Sequence, residues 1–233
     1  MKLNRDLTNK INWFLDNFLP PILRDNKIFM GVWFRILFGK KMKYFMEFKE
    51  KAPFLTGNER EEYYHVLYDK HIKRDTDLNA KSIDKILGYI KGDTVLDVGC
   101  GKGYLAKKIA ENNIKVTGID INLQCGLLES RNPLFIKDNI EKKLPFLDKS
   151  FDTVICAHTI EHLLNPEETI SELRRVARKR LIVVVPRQRE YKYTFDLHLF
   201  FFPYIFSLQK LMKNKTAACV IIDNDIFYCE DIT

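Results

Sequence analysis

The stretch Val95-Leu96-Asp97-Val98-Gly99-Cys100-Gly101-Lys102-Gly103-Tyr104 ends an apolar run on an acid and then sets glycine at every second position. Glycine has no Cβ, so such a loop can take positive φ and let a small organic ligand approach its backbone. The spacing is G-x-G-x-G. A dinucleotide fingerprint, G-x-G-x-x-G, would put its third glycine at 104, where this chain has Tyr. Asp120 follows Asp97 by 23 residues, with Ile121 beside it. An ionised carboxylate there can accept from both hydroxyls of a ribose. An acid at this place also occurs in NAD-binding folds, so alone it does not discriminate. Asp138-Asn139-Ile140 offers an acceptor for an exocyclic amine next to an apolar wall.

Two later segments carry groups for a reaction on a second substrate. In 156–163 these are His158, Glu161 and His162. In 186–198, Arg187, Arg189 and Lys192 stand among Tyr191, Tyr193, Asp196 and His198. Cations beside tyrosines suit a phosphorylated or sugar-bearing acceptor, which Arg187, Arg189, Tyr191, Tyr193 and Asp196 are expected to bind. An imidazole titrates near neutrality, so His198, oriented by Asp196, is the expected general base; His158 is the next candidate. His158, Glu161, His162 and His198 have the composition of a metal set, yet no bound metal is expected. Each acid or histidine taken singly also reads as a helix cap or a satisfied core group. It is the set at these spacings that points to a ligand.

Elements must bring these residues together. Short apolar runs at 94–97, 115–119, 134–137, 150–156 and 181–185 read as strands, and the last, bounded by Pro186, as a buried parallel one. Between them lie helical patterns. Ile83, Ile86, Leu87 and Ile90 form a stripe behind a cap at Asp77 or Asn79. A helix runs from the glycine loop to about 112. Asn165-Pro166 starts another, with Ile170, Leu173, Val176 and Ala177 as its buried face. A helical stretch near 200–213 precedes a hairpin, 217–222 and 226–230, turning at Asp223-Asn224-Asp225. The alternation predicts an α/β protein with a doubly wound, mostly parallel seven-stranded sheet, an antiparallel C-terminal hairpin and an N-terminal helical extension. Residues 1–74 are expected to form that extension and 75–233 the catalytic domain.

The glycine loop behind V-L-D-V-G-C, with Asp120-Ile121, Asp138-Asn139 and L-P-F…S-F-D at 144–152, resembles class I S-adenosylmethionine-dependent methyltransferases over about 80–186. The resemblance implies a Rossmann-like fold and S-adenosylmethionine as cofactor. It implies cofactor contacts from Asp97, Gly99, Cys100, Gly101, Gly103, Asp120, Ile121, Asp138, Asn139, Ile140 and Ala157. The segment V-P-R-Q-R-E-Y-K-Y-T-F-D-L-H at 185–198 is similar to that of bacterial methyltransferases of surface polysaccharides. That narrower likeness implies O-methylation of a nucleotide-linked sugar or glycan. A small-molecule methyltransferase of quinone or secondary metabolism is the rival enzyme reading. A non-catalytic S-adenosylmethionine-binding scaffold is the reading from another class.

Composition agrees with a globular chain: 233 residues, 46% hydrophobic and 30% charged. Five cysteines without a C-x-x-C, and no secretory or membrane-span pattern, predict a reduced, cytoplasmic protein. The net charge of +7 is uneven: residues 1–57 carry 11 Lys/Arg against 5 Asp/Glu, among many aromatics. This segment reads as helices broken at Pro20-Pro21 and Pro53, with a helical pattern again at 58–74. It is either a cap with packed aromatics and solvated lysines, or a contact with a membrane surface or protein. No RNA-binding module is recognisable, and nucleic acid is not an expected partner.

Overall fold

The computed structural model describes residues 14, 18–56, 59–60, 62–63, 75–123, 127, 130–190, 192–193 and 196–233. Tyr191, Cys125 and most of the helical pattern expected at 58–74 lie outside the described residues. The chain groups into two compact units, one of Met1–Arg74 with Gln188–Phe200, the other of Asp75–Arg187 with Phe201–Thr233.

The first unit holds α1 (Pro21–Arg24), α2 (Lys27–Phe38) and α3 (Met42–Lys51). Pro21 is the first residue of α1, because proline at the first helical position forfeits no hydrogen bond. The break at 25–26 was not legible as a proline signal: Asn26 caps α2, its Oδ1 accepting from the amides of Ile28 and Phe29 at 2.9 Å each. Phe34, Phe38, Phe45 and Phe48 are buried, and the Phe38 and Phe45 rings stack with centroids 3.9 Å apart. Two contacts explain why 188–200 groups with this unit. Lys49 Nζ lies 3.5 Å from Glu190 Oε1, and the Lys192 amide donates to Asp25 Oδ1 at 3.4 Å.

The second unit is the expected doubly wound sheet. Its strands are β1 (Thr94–Val98), β2 (Lys115–Asp120), β3 (Leu134–Lys137), β4 (Phe151–Ala157), β5 (Ala177–Pro186), β6 (Ala218–Ile222) and β7 (Asp225–Asp231). They lie in the order β3-β2-β1-β4-β5-β7-β6; β7 is antiparallel to both neighbours and the other pairings are parallel. Neighbouring residues of a strand point to opposite faces. Leu96, Val98, Val154, Cys156, Leu181, Val183 and Val185 therefore enter one core with α6 (Pro166–Val176) and α7 (Ile205–Met212). Val95, Ile155, Ile182 and Val184 enter the other, with α4 (Ala80–Tyr89) and α5 (Tyr104–Ala110).

Three boundaries differ from the sequence reading. The helix after the glycine loop ends at Ala110, two residues early. Ala177 opens β5 rather than closing the helix before it. The charged run Arg178-Lys179-Arg180 belongs to that strand because its side chains find acids: Lys179 Nζ is 3.0 Å from Asp152 Oδ1 and Arg180 Nη2 is 2.8 Å from Asp231 Oδ1. The hairpin turns on Asp223-Asn224 alone, and Asp225 is the first residue of β7. Because β7 runs against β5, its start lies where the parallel strands end, with Asp225 opposite Pro186.

Candidate functional site

The register aligns the carboxyl ends of the parallel strands: Val98 is opposite Ile119 on one side and Cys156 on the other, and Ala157 is opposite Val184. Loops leaving that edge converge, which is where α/β sheets bind ligands. Gly99, Gly101 and Gly103 all have positive φ, at 76°, 52° and 72°. At Gly99 an added Cβ would collide with the Thr159 side chain, so the position excludes any larger residue. The loop is tied to β2: the amides of Gly99 and Cys100 donate to the Ile119 carbonyl at 2.8 and 3.2 Å. Gly101 N donates to Asp120 Oδ2 at 2.8 Å, and Asn122 N to Asp120 Oδ1 at 2.8 Å.

The acids expected at the cofactor are thus at one end of the second unit. Asp97 is buried and its Oδ2 has no hydrogen-bond partner among the described residues. Burial, and then the neighbouring Asp120 carboxylate, push the Asp97 pKa up to about 7, against the Ala106 amide. Asp120 is raised by burial, opposed by the amides of Asn122, Gly101 and Ile121. Asp138 joins the loop through its amide, which donates to the Asp120 carbonyl at 3.1 Å, while its Oδ1 accepts from Asn139 N at 2.7 Å. Asn139 Oδ1 accepts from Glu141 N at 2.9 Å, and Ile140 is buried in the first core. Ile121 and Ala157 are half-buried beside these groups in sequence. Cys100 is half-buried, and burial raises its thiol far above the ordinary range.

These residues fit S-adenosylmethionine. Two buried carboxylates side by side call for a cationic ligand, and the cofactor carries a sulfonium and an ammonium. The unpartnered Asp97 oxygen is an acceptor for such a group. Asn122 adds a signal the sequence reading missed: its side-chain amide is buried with neither polar atom partnered among the described residues. An Asn two residues after a strand-end acid is too common in turns to single out from sequence.

The Asp97 shift has a measurable consequence. A group with pKa about 7 must lose its proton to accept from an ammonium, so binding expels that proton below pH 7. The dissociation constant of S-adenosylhomocysteine is expected to rise by up to ~10-fold per pH unit as pH falls below about 7, and to level off above it. Asp97→Asn should bind more weakly and with a flat profile. Calorimetric titration from pH 5.5 to 8 checks this; a flat wild-type profile would contradict it.

His158 follows β4 with φ of 50°, a strained conformation for a residue with a Cβ. Its amide is held by the Val184 carbonyl at 2.8 Å, and its Nε2 lies 3.1 Å from Asp225 Oδ1. Asp225, itself buried, accepts at Oδ2 from Asn79 Nδ2 and Ser82 Oγ, each at 2.7 Å. Asn79 is also the cap of α4, its Oδ1 taking the Ser82 amide at 2.7 Å. Burial disfavours the charged imidazole, but the Asp225 carboxylate outweighs it, with Glu161 and Asp77 adding, and the His158 pKa is raised. Glu161 is buried in a short 3-10 turn with neither carboxylate oxygen partnered among the described residues; burial pushes it up to about 7, against His158. Sequence reading passed over Asp225 as one of three turn residues. The available signal was the hairpin itself, since an antiparallel return brings its turn to the ligand end.

Arg187 is exposed at the end of β5, its amide donating to the Asn224 carbonyl at 2.7 Å. Arg189, Tyr193, Asp196 and His198 belong to the first unit. Arg189 is exposed and Tyr193 buried. His198 is buried, with Nδ1–H donating to Gln188 Oε1 at 2.8 Å.

Residues 96–185 match a family described as a methyltransferase domain. Over 108 residues the chain is 32% identical to a ubiquinone biosynthesis O-methyltransferase of Nitrosomonas europaea, covering 43% of this chain and 46% of that one. Over 96 residues it is 38% identical to a tRNA U34 carboxymethyltransferase of Nautilia profundicola, covering 36% and 31%. Over 106 residues it is 35% identical to a demethylmenaquinone methyltransferase of Tropheryma whipplei, covering 42% and 44%. In each case the aligned stretch is under half the relative's length. In fold it is similar to a protein of Pyrococcus horikoshii OT3, with a TM-score of 0.56 at 18% identity over 73% of this chain and 98% of that one. It is also similar to a SAM-dependent methyltransferase from Aquifex aeolicus, with a TM-score of 0.50 at 23% identity over 66% and 89%.

Proposed function

We propose that this chain, whose residues 96–185 match a methyltransferase domain, is a class I methyltransferase that uses S-adenosylmethionine to methylate a hydroxyl of a small aromatic acceptor of the quinol type. When bound, the cofactor supplies an electrophilic methyl group on a sulfonium. The observation that carries the reading is the His158–Asp225 pair at the carboxyl edge of the sheet that also holds the glycine loop. A neutral hydroxyl is a poor nucleophile, and an imidazole backed by a carboxylate can take its proton. With Nε2–H held by Asp225, the lone pair of His158 is on Nδ1, which is the atom proposed to receive that proton. The residues around the glycine loop hold and orient the cofactor; most of the remaining task is alignment of the acceptor.

The acceptor class rests on the relatives' names: two of the three reported above act in quinone synthesis, and none is named for a polysaccharide. This favours the quinol reading over the sugar expected from 185–198. Labelled methyl is expected to pass from S-adenosylmethionine to a catechol or quinol panel at least ~10-fold faster than to nucleotide-linked sugars. A preference for the sugars would reverse the acceptor assignment. Cofactor binding with no transfer to either panel would favour the scaffold reading.

A further inference from the structure

We propose that α2 docks this protein onto an anionic membrane surface, lying in the plane of the bilayer. The helix is apolar on two opposite sides. At 100° per residue, Met30, Phe34 and Phe38 fall on one side and are buried. Ile28, Phe29, Val32, Trp33 and Ile36 fall on the other. There Ile28 is 82% exposed, Val32 55%, Trp33 51% and Ile36 68%. The Phe29 and Trp33 rings meet edge to face, 6.4 Å apart. A surface helix normally keeps this side polar, and one that is apolar all round is normally covered. A contiguous exposed apolar face of this kind marks an interaction surface.

Charge decides what covers it. From Asn26 to Met46 the chain has Lys27, Arg35, Lys40, Lys41 and Lys43 and no Asp or Glu. Within α2 the only charged residues are Lys27 and Arg35, both outside the exposed apolar sector. Arg35 borders the exposed sector and Lys40 and Lys41 follow the helix, and an apolar sector with an indole beside such cations is complementary to acyl chains beneath anionic headgroups. A helix of 12 residues is about 18 Å long, well short of a hydrocarbon core of about 30 Å, so it lies on the bilayer rather than crossing it. The inference stands on α2 and its flanks and does not depend on methyl transfer.

The test is sedimentation with vesicles of equal phosphatidylglycerol and phosphatidylcholine, against phosphatidylcholine alone. The wild-type chain is expected to bind the anionic vesicles at least ~10-fold more strongly, and to release in 0.5 M salt as charges are screened. Ile28→Glu with Ile36→Glu should abolish binding and leave the circular dichroism and thermal midpoint unchanged, since both residues are exposed. In a Trp13→Phe protein, emission from Trp33 should shift to the blue on anionic vesicles. Absence of wild-type binding overturns the proposal, as does binding unaffected by the double substitution. A dimer that this substitution converts to monomer would assign the face to a second copy of the chain instead.

Discussion

Gly101→Val is expected to lower affinity for S-adenosylhomocysteine at least ~100-fold while the sheet still folds. Position 101 has φ of 52°, where a β-branched residue is strained by ~1–3 kcal/mol. Its amide is one of three backbone donors to the Asp120 carboxylate, with those of Asn122 and Ile121, so a shift of the loop loosens that acid as well. Far-UV circular dichroism reports the fold and calorimetry the binding. Affinity retained within ~3-fold would remove the cofactor from this loop. Asp120→Ala separates the two effects: it leaves the backbone unstrained and takes away the acceptor, with an expected loss of ~2–4 kcal/mol.

The second large effect concerns His158. His158→Asn should lower kcat at least ~100-fold, the usual scale of general-base catalysis, with cofactor affinity unchanged. The raised imidazole pKa gives the sign of the pH dependence. Turnover needs the neutral ring, so wild-type kcat should rise with pH through a point above the ~6.5 of free histidine. Asp225→Asn is expected to slow turnover at least ~10-fold and to move that inflection down, because the carboxylate that favours the imidazolium is gone. The new amide would also donate to Nε2 and leave the ring proton on Nδ1, the wrong tautomer for accepting from a hydroxyl. Asp225 is thus a positioning residue, and the displaced pH profile distinguishes it from a residue that merely holds the hairpin. If His158→Asn turns over like wild type while His198→Asn does not, the base is His198, as the sequence suggested.

The likeness to methyltransferases is densest where chemistry is local. A loop that must take positive φ three times in five residues can be read from its glycines, because hardly any other residue tolerates that backbone. The strand-end acids can be read for a similar reason: an apolar run followed by an acid places the carboxylate where the strand leaves the core. Alternation of strand and helix then leaves few ways to close a parallel sheet, and the expected doubly wound, mostly parallel sheet with its antiparallel C-terminal hairpin is the observed one.

What sequence spacing could not supply was partnership between distant residues. Asp152, part of the S-F-D pattern, binds the Asp93 amide and Lys179 at the amino end of β4, away from the ligand edge. Asp225, an ordinary turn acid in the sequence, holds His158 67 residues away because β7 runs antiparallel to β5 and returns the hairpin to the carboxyl edge. The outward apolar side of α2 could be told from its buried side only once α3 and the rest of the first unit had covered one and left the other. Periodicity by itself determined where helices and strands form, since backbone geometry repeats within a few residues. Which side chains meet, and which apolar side stays exposed, depended on chain reversal and packing, which only the tertiary structure decides.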